Sequence, residues 1–179
     1  MKFKILIFLL FASFLVAFKS IQSVIVIDKK VSFGFKTPDS TRNIYAVIIH
    51  STYNVAKDSF SVQGCIDQFK KYGVSAHYII GRDGKIYRLV DEKNISYHAG
   101  KSSLPDGSTT VNTNSIGIEI ITTKFTSPTQ EQYNSAAALV KDIKTRYAIK
   151  YIQGHEQIAP GRKDDPWNFD WTKFNSMLN

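Results

Sequence analysis

The run Ala46-Val-Ile-Ile-His50 is apolar without a break until it ends in a histidine, and polar Ser51 and Thr52 follow it. A short continuous apolar run bounded by polar residues is the pattern of a strand buried within a sheet, and such a strand needs cover on both faces. The rest of the chain offers that cover. Val62, Cys65, Ile66, Phe69 and Tyr72 recur at helical spacing, and Gly73 is placed to cap the helix they form. His77 to Ile80 and Lys85 to Val90 are β-prone runs joined by Gly81-Arg82-Asp83-Gly84, whose Asp-Gly favours a tight turn, so two adjacent antiparallel strands are predicted. Val24 to Ile27 is a short β-branched run, and Ser115 to Ile121 reads as a further strand. Ser127-Pro128-Thr129-Gln130 predicts a helix start, with Ser127 as N-cap, proline at the first helical position and Gln130 at the capping-box position. That helix runs to about Tyr147. Tyr151 to Gln153 is read as a last strand, Gly154 to Phe169 as irregular, and Asp170 as the cap of a short final helix. The expected fold class is α/β: a single domain with a central mixed β-sheet flanked by helices.

The N-terminus departs from this pattern. Lys2 and Lys4 lead into Ile5 to Phe18, a run in which Ser13 is the one polar residue and no acidic residue occurs. This is the layout of a signal peptide, and the run is shorter than the roughly 20 residues of a membrane-spanning helix. Residues 1–23 are therefore expected to be a signal peptide, with an uncleaved N-terminal membrane tether as the alternative, and residues 24–179 the globular domain. Export to the periplasm or cell envelope, or secretion, follows. The 179 residues suit one domain, and 43% hydrophobic with 13% aromatic residues is enough to fill its core. Cys65 is the single cysteine, which excludes an intrachain disulfide and a cysteine-rich zinc site. The net charge of +8 falls by three on removal of residues 1–23, since these carry Lys2, Lys4 and Lys19 and nothing acidic. The domain remains basic and suits an anionic partner. No basic run with interleaved aromatics points to nucleic acid, and export favours the cell wall. A monomer is expected, and because Asn179 follows the last short helix closely, substrate affinity is expected from the domain itself.

Four histidines are present, at 50, 77, 98 and 155, and neither two histidines four apart nor paired cysteines occur, so any metal site must be assembled by the fold. His50 ends a strand, His155 follows Gly154, and Asp165 lies ten residues later. Two histidines and a carboxylate leave a fourth tetrahedral position for water, the open arrangement of a hydrolytic zinc site. From the residues alone, a hydrogen-bonded structural histidine at a strand end and a solvated Asp164-Asp165 turn remain the alternatives. His77 falls inside a strand and reads as structural. The stretch from His98 to Asn114, rich in Gly, Ser, Thr and Asn, is long enough to be a functional loop.

Six segments in register add a resemblance: Ala46-Val-Ile-Ile-His50, Val74-Ser-Ala-His-Tyr78, Gly81-Arg-Asp-Gly84, His98-Ala-Gly100, Asn114-Ser-Ile-Gly-Ile-Glu119, and Gly154-His155 through Ala159-Pro-Gly-Arg-Lys-Asp-Asp-Pro166. Together they resemble the zinc-dependent N-acetylmuramoyl-L-alanine amidases of the type 2 family, which share their fold with phage lysozyme-type amidases and animal peptidoglycan-recognition proteins. The resemblance covers residues 44–171. It implies hydrolysis of the amide between N-acetylmuramic acid and L-alanine in peptidoglycan or muropeptides, with Zn2+ held by His50, His155 and Asp165. It also implies Glu119 as the catalytic acid–base and Lys163 as the positive charge on the oxyanion. From the residues alone, Glu119 as a core-edge carboxylate and Lys163 as a turn lysine stay open.

In similar amidases the His-Ala-Gly segment lines the peptide groove, which implies substrate contact for His98 and Asn114. Arg162 has the geometry to hold a substrate carboxylate, or else to pin the loop. Two departures bear on specificity: Leu104 stands where many members carry tryptophan, and Trp167 follows Asp165-Pro166 in place of a common glycine. The alternative readings are a non-catalytic peptidoglycan-binding module and a zinc peptidase acting within the stem peptide.

Overall fold

A computed structural model describes residues 24–179. The expected signal peptide or tether lies outside the described residues, and among these no helix is long and apolar enough to cross a membrane. The elements in chain order are β1 (Val26–Asp28), β2 (Phe35–Lys36), β3 (Ala46–Thr52), α1 (Val62–Tyr72), β4 (Tyr78–Ile80), β5 (Ile86–Arg88), β6 (Ile95–Ser96), α2 (Val111–Asn114), β7 (Ser115–Ile121), α3 (Gln130–Arg146), β8 (Tyr151–Gly154), α4 (His155–Ile158) and α5 (Trp171–Leu178).

Six strands form one sheet in the order β1-β5-β4-β7-β3-β8. Every neighbouring pair is parallel except β4 and β5, which are the antiparallel pair joined by the Asp-Gly turn. The sheet is therefore mixed and flanked by helices, as the pattern of buried runs requires. Two of its interior strands, β3 and β7, are buried along their whole length, which explains why neither shows alternation of apolar and polar residues.

The two faces carry different loads. Val47, Ile49, Ile116, Ile118 and Ile120 face a large core closed by Tyr133, Leu139, Val140 and Ile143 of α3 and Phe174 of α5. On the opposite face, Ala46 and Ile48 pack on Ala99, Leu104, Val111 and Ile158, while Ile79 and Ile121 pack on Cys65, Ile66 and Phe69 of α1. Successive side chains of a strand alternate between faces, so His50 projects with Ala46 and Ile48, and Glu119 with Ser115, Gly117 and Ile121. Both reach the gap between the two small clusters.

Parallel register determines who stands beside whom. His50 pairs with Glu119 across β3 and β7, and Ile49 pairs with Gly154 across β3 and β8, so His155 emerges next to His50 on the other side. Three adjacent strands thus deliver three functional side chains to one edge of the sheet without any local sequence motif.

Local signals in the chain account for most element ends. Ser61 caps α1 by accepting from the Gly64 amide, and Gly73 closes it in the left-handed region at φ 65°. Asp170 caps α5 through the Lys173 amide. The start of α3 differs from expectation by two residues: Thr129, not Ser127, is the N-cap, and Gln132 rather than Gln130 completes the capping box. Tertiary contacts decide this. The Thr129 hydroxyl donates to the Arg82 carbonyl, and the buried Gln132 amide donates to the Ile80 and Ile121 carbonyls, tying the helix start to β4 and β7. The irregular segment after Gly154 contains the single turn α4, and β2, between β1 and β3, pairs with the distant β6 in a small second ladder that the sequence did not suggest.

Candidate metal centre and catalytic cavity

His50, His155 and Asp165 are all buried, and one nitrogen or oxygen from each lies within 4.8 Å of the others. His50 Nδ1 is 3.0 Å from His155 Nδ1, His155 Nδ1 is 3.1 Å from Asp165 Oδ1, and His50 Nδ1 is 3.5 Å from Asp165 Oδ2. The Ser51 amide donates to Asp165 Oδ2 at 3.3 Å and helps to orient the carboxylate.

The direction of the surrounding hydrogen bonds shows what this cluster is suited to hold. A carbonyl oxygen only accepts, so His155 Nε2, 3.1 Å from the Ala99 carbonyl, carries the proton and leaves Nδ1 bare. His50 Nε2 meets His98 Nδ1 at 3.0 Å. Burial pushes the His50 pKa down to about 4, against the pull of Asp165, so the ring is neutral near pH 7. In the tautomer that places the single ring proton of His50 on Nε2, its Nδ1 is a second bare acceptor. Two imidazole lone pairs and a carboxylate then face one another with no proton between them, an arrangement that a cation satisfies. A tetrahedral zinc ion with bonds of about 2.0–2.2 Å has ligand-to-ligand edges of about 3.3–3.6 Å, close to the observed separations. The donor set fits the metal.

These residues line a cavity of about 410 Å³ together with Glu119, His98, Lys163, Arg162, Tyr53 and Trp167, a size within the range of small-molecule sites. Glu119 is 9% exposed, and its Oε2 has no hydrogen-bond partner among the described residues. Burial, followed by the nearby Asp165 charge, pushes its pKa up to about 8, with Lys163 opposing. A buried carboxyl left without a partner in a cavity is costly, which marks it as a group awaiting a ligand or a proton. Lys163 is solvent-exposed at the rim.

Four of the remaining residues singled out in the sequence find definite places. Asn114 does not line the cavity: its amide donates to the Asn43 carbonyl and its oxygen accepts from Thr110. Asn112, two residues earlier, holds the loop instead by accepting from the His98 and Ala99 amides. His98 does border the cavity, but both of its ring nitrogens are engaged within the protein. Arg162 pins the same loop by donating to the Ala99 and Lys101 carbonyls, and also borders the cavity. His77 is structural, as expected: its Nδ1 accepts from the Gly117 amide at 3.0 Å and its Nε2 donates to the Asn94 carbonyl.

Leu104 is 3% exposed and belongs to the core under β3, so it does not offer a surface to substrate. Trp167 does line the cavity, clamped by an edge contact with Tyr53 at 5.7 Å, by Lys124 over its ring, and by a hydrogen bond from its indole to Asp164. Ser115, legible only as part of a strand and its motif, and Arg42, in a loop, are both central to what surrounds the site, yet neither showed a role in the sequence. Polar residues in a loop and at a strand start look alike whether they are solvated or buried.

A mixed sheet carries, at the ends of neighbouring strands, two histidines and a carboxylate that could hold a metal ion beside a buried glutamate, the kind of site that hydrolases use. Residues 40–168 match the N-acetylmuramoyl-L-alanine amidase family model, and the chain belongs to that family. It is 41% identical over 108 residues to the 1,6-anhydro-N-acetylmuramyl-L-alanine amidase AmpD of Citrobacter freundii, covering 59% of this chain and 57% of that protein. It is 38% identical over 111 residues to the N-acetylmuramoyl-L-alanine amidase AmiD of Escherichia coli K12, covering 52% of this chain and 40% of that one. The aligned region thus spans little more than half of the first relative and less of the second. Among solved structures, an AmpD derivative superposes with a TM-score of 0.71 at 30% identity, covering 84% of this chain and 93% of that one. AmiD from Escherichia coli, in complex with anhydro-N-acetylmuramic acid-L-Ala-D-gamma-Glu-L-Lys, gives 0.67 at 27% identity, covering 80% and 65%.

Proposed function

We propose that this chain hydrolyses the amide bond between N-acetylmuramic acid and L-alanine in muropeptides or peptidoglycan, with zinc held by His50, His155 and Asp165. The convergence of two imidazole nitrogens, a carboxylate and an unpartnered buried glutamate in one cavity carries this reading. Family membership and the names of the relatives support the choice of bond.

When bound, zinc would polarise the amide carbonyl and make water acidic enough to attack near neutral pH. The chain's own groups supply the rest. Glu119, buried in the cavity with Oε2 free, accepts in its ionised form a proton from the attacking water and returns it to the departing L-alanine nitrogen. Lys163 supplies a positive charge at the rim for the oxyanion. The basic side chains of Arg162 and Lys163 suit the carboxylates of a stem peptide, and Trp167 with Tyr53 offers an aromatic wall.

Digestion of defined muropeptides with and without a chelator, read by mass spectrometry, tests this. The expected products are stem peptides beginning with L-alanine and a sugar with an intact lactyl group, and the chelator should stop their release. Cleavage between amino acids would support a stem-peptide peptidase instead, and binding without cleavage a recognition module. Asp165→Ala should remove metal and turnover together; unchanged turnover in that variant would end the zinc reading.

Export to the cell envelope belongs to the same proposal and rests on the sequence of residues 1–23 alone. Fractionation of cells producing the full chain, with the mature N-terminus mapped by mass spectrometry, tests export and distinguishes cleavage from a retained tether.

A further inference from the structure

The engaged nitrogens of His98 lead past the metal ligands. The Ser115 hydroxyl lies 2.5 Å from the Val111 carbonyl, and since a carbonyl cannot donate, the hydroxyl proton points there. Ser115 Oγ is then the acceptor for His98 Nε2, 3.3 Å away. With the His98 proton on Nε2, its Nδ1 is an acceptor, and the group facing it is His50 Nε2 at 3.0 Å. Each step leaves one choice for the next, and the chain ends by stripping His50 Nδ1 of its proton.

The fold is shaped to seat this ring. A Cβ at Gly117, in the middle of β7, would lie 2.5 Å from His98 Cγ, so only glycine leaves room for the imidazole against the strand. Asn112 fixes the backbone on which the ring is mounted, accepting from the amides of His98 and Ala99. The ring is buried, and the relay is that of two imidazoles carrying one proton each.

We propose that His98 is a positioning residue, not a substrate contact: the relay Val111–Ser115–His98 sets the tautomer and orientation of His50 so that Nδ1 presents its lone pair to the metal. This rests on reading His50, His155 and Asp165 as a metal centre. Groups that hold the second nitrogen of a metal-bound histidine commonly contribute about 10- to 100-fold to metal affinity, and that is the effect to measure.

Zinc affinity by competition with a chromophoric chelator, on purified protein shown to be folded, is the test. His98→Leu keeps bulk but offers His50 no acceptor and should weaken zinc binding by about 10- to 100-fold. His98→Gln can present an amide oxygen to His50 and should recover much of the loss, which a purely space-filling role would not predict. Gly117→Ala removes no hydrogen-bonding side chain but displaces the His98 ring, and should fall with His98→Leu. The imidazole nitrogen spectrum of the metal-free, unaltered protein should show His50 protonated at Nε2. A folded His98→Leu variant that holds zinc as tightly as the unaltered protein, or His50 protonated at Nδ1, overturns the proposal while leaving the amidase reading intact. If His98→Leu does not fold, the nitrogen spectrum decides alone. Failure of the unaltered protein to bind zinc would defeat the amidase reading, and the tautomer would still be read.

Discussion

Arg42 donates from one guanidinium to the carbonyls of Thr113, Asn112, Ser115, Glu92 and Asn94. It is 8% exposed, and burial lowers its pKa to about 10, so it stays charged at neutral pH. Its five donors gather the segment after β5 and the turn α2 that leads into β7, and thereby the start of the strand that carries Glu119. A lysine has one ammonium and cannot reach acceptors on both sides. Arg42→Lys and Arg42→Ala should each destabilise the protein by on the order of 3 kcal/mol, because several buried acceptors lose their partner. Urea unfolding measures this; a loss under about 0.5 kcal/mol, typical of surface positions, would show that the carbonyls find other partners. Trp167 is a contrasting case, since it touches the cavity but not the metal ligands' second nitrogens. Trp167→Gly should leave zinc affinity unchanged and raise KM about 2- to 10-fold, the range of an aromatic contact of about 0.5–1.5 kcal/mol. A fall in zinc affinity instead would mean that its hold on Ser51, through the Trp167 amide, supports the centre.

Helix α3 shows where local signals and tertiary contacts compete at the scale of an element. Ser127 with Pro128 has every feature of a helix start, yet the chain caps at Thr129, where the hydroxyl and Gln132 also bond to the sheet. Thr129→Ala should therefore cost about 1 kcal/mol, and Ser127→Ala less than about 0.5 kcal/mol, as read by thermal unfolding. Equal losses would place the cap back at Ser127. The same competition separates what was legible in the sequence from what was not. Long buried runs such as Ala46 to His50 and Ser115 to Ile121 announce themselves, as does α1 between Ser61 and Gly73, because their patterns arise from burial or capping within the element. The ladder of β2 with β6 and the single turn α4 are too short to carry a period, and they exist because neighbours hold them. His50, His155 and Asp165 were singled out through the resemblance, and the fold brings them together. The geometry that makes them a site, His50 beside Glu119 and next to His155, is a property of strand register, which no local spacing encodes. His98 was legible as a residue of the cavity, whereas the partners of its two nitrogens come from distant segments and no local pattern announces them.

At the scale of the whole molecule, one sheet face is an apolar core and the other carries imidazoles and carboxyls buried at its edge, so stability should depend on pH through groups that the fold keeps from their usual protonation. His77 isolates this effect, because it lies at the junction of β4, β7 and the segment after β5 and is not a metal ligand. Burial, then the Arg42 charge, depresses its pKa from 6.5 to about 3, against a weaker pull from the Asn94 carbonyl. Between those two values the unfolded chain binds a proton that the folded protein refuses, so stability falls as pH drops below about 6.5 and continues to fall toward about 3, with a slope of up to about 1.4 kcal/mol per pH unit from this group. In His77→Gln that proton has nowhere to bind in either state. The variant should be less stable than the unaltered protein at pH 7.5, because the bonds to Gly117 and Asn94 are disturbed, and the gap between the two should narrow steadily as pH is lowered to 4.5. Urea unfolding of both proteins in the presence of a chelator, so that zinc does not compete with protons for the other histidines, measures the gap directly. A gap that stays constant over this range would mean that His77 accepts a proton in the folded state as readily as in the unfolded one, and that its burial between Arg42 and the Gly117 amide is relieved by local opening.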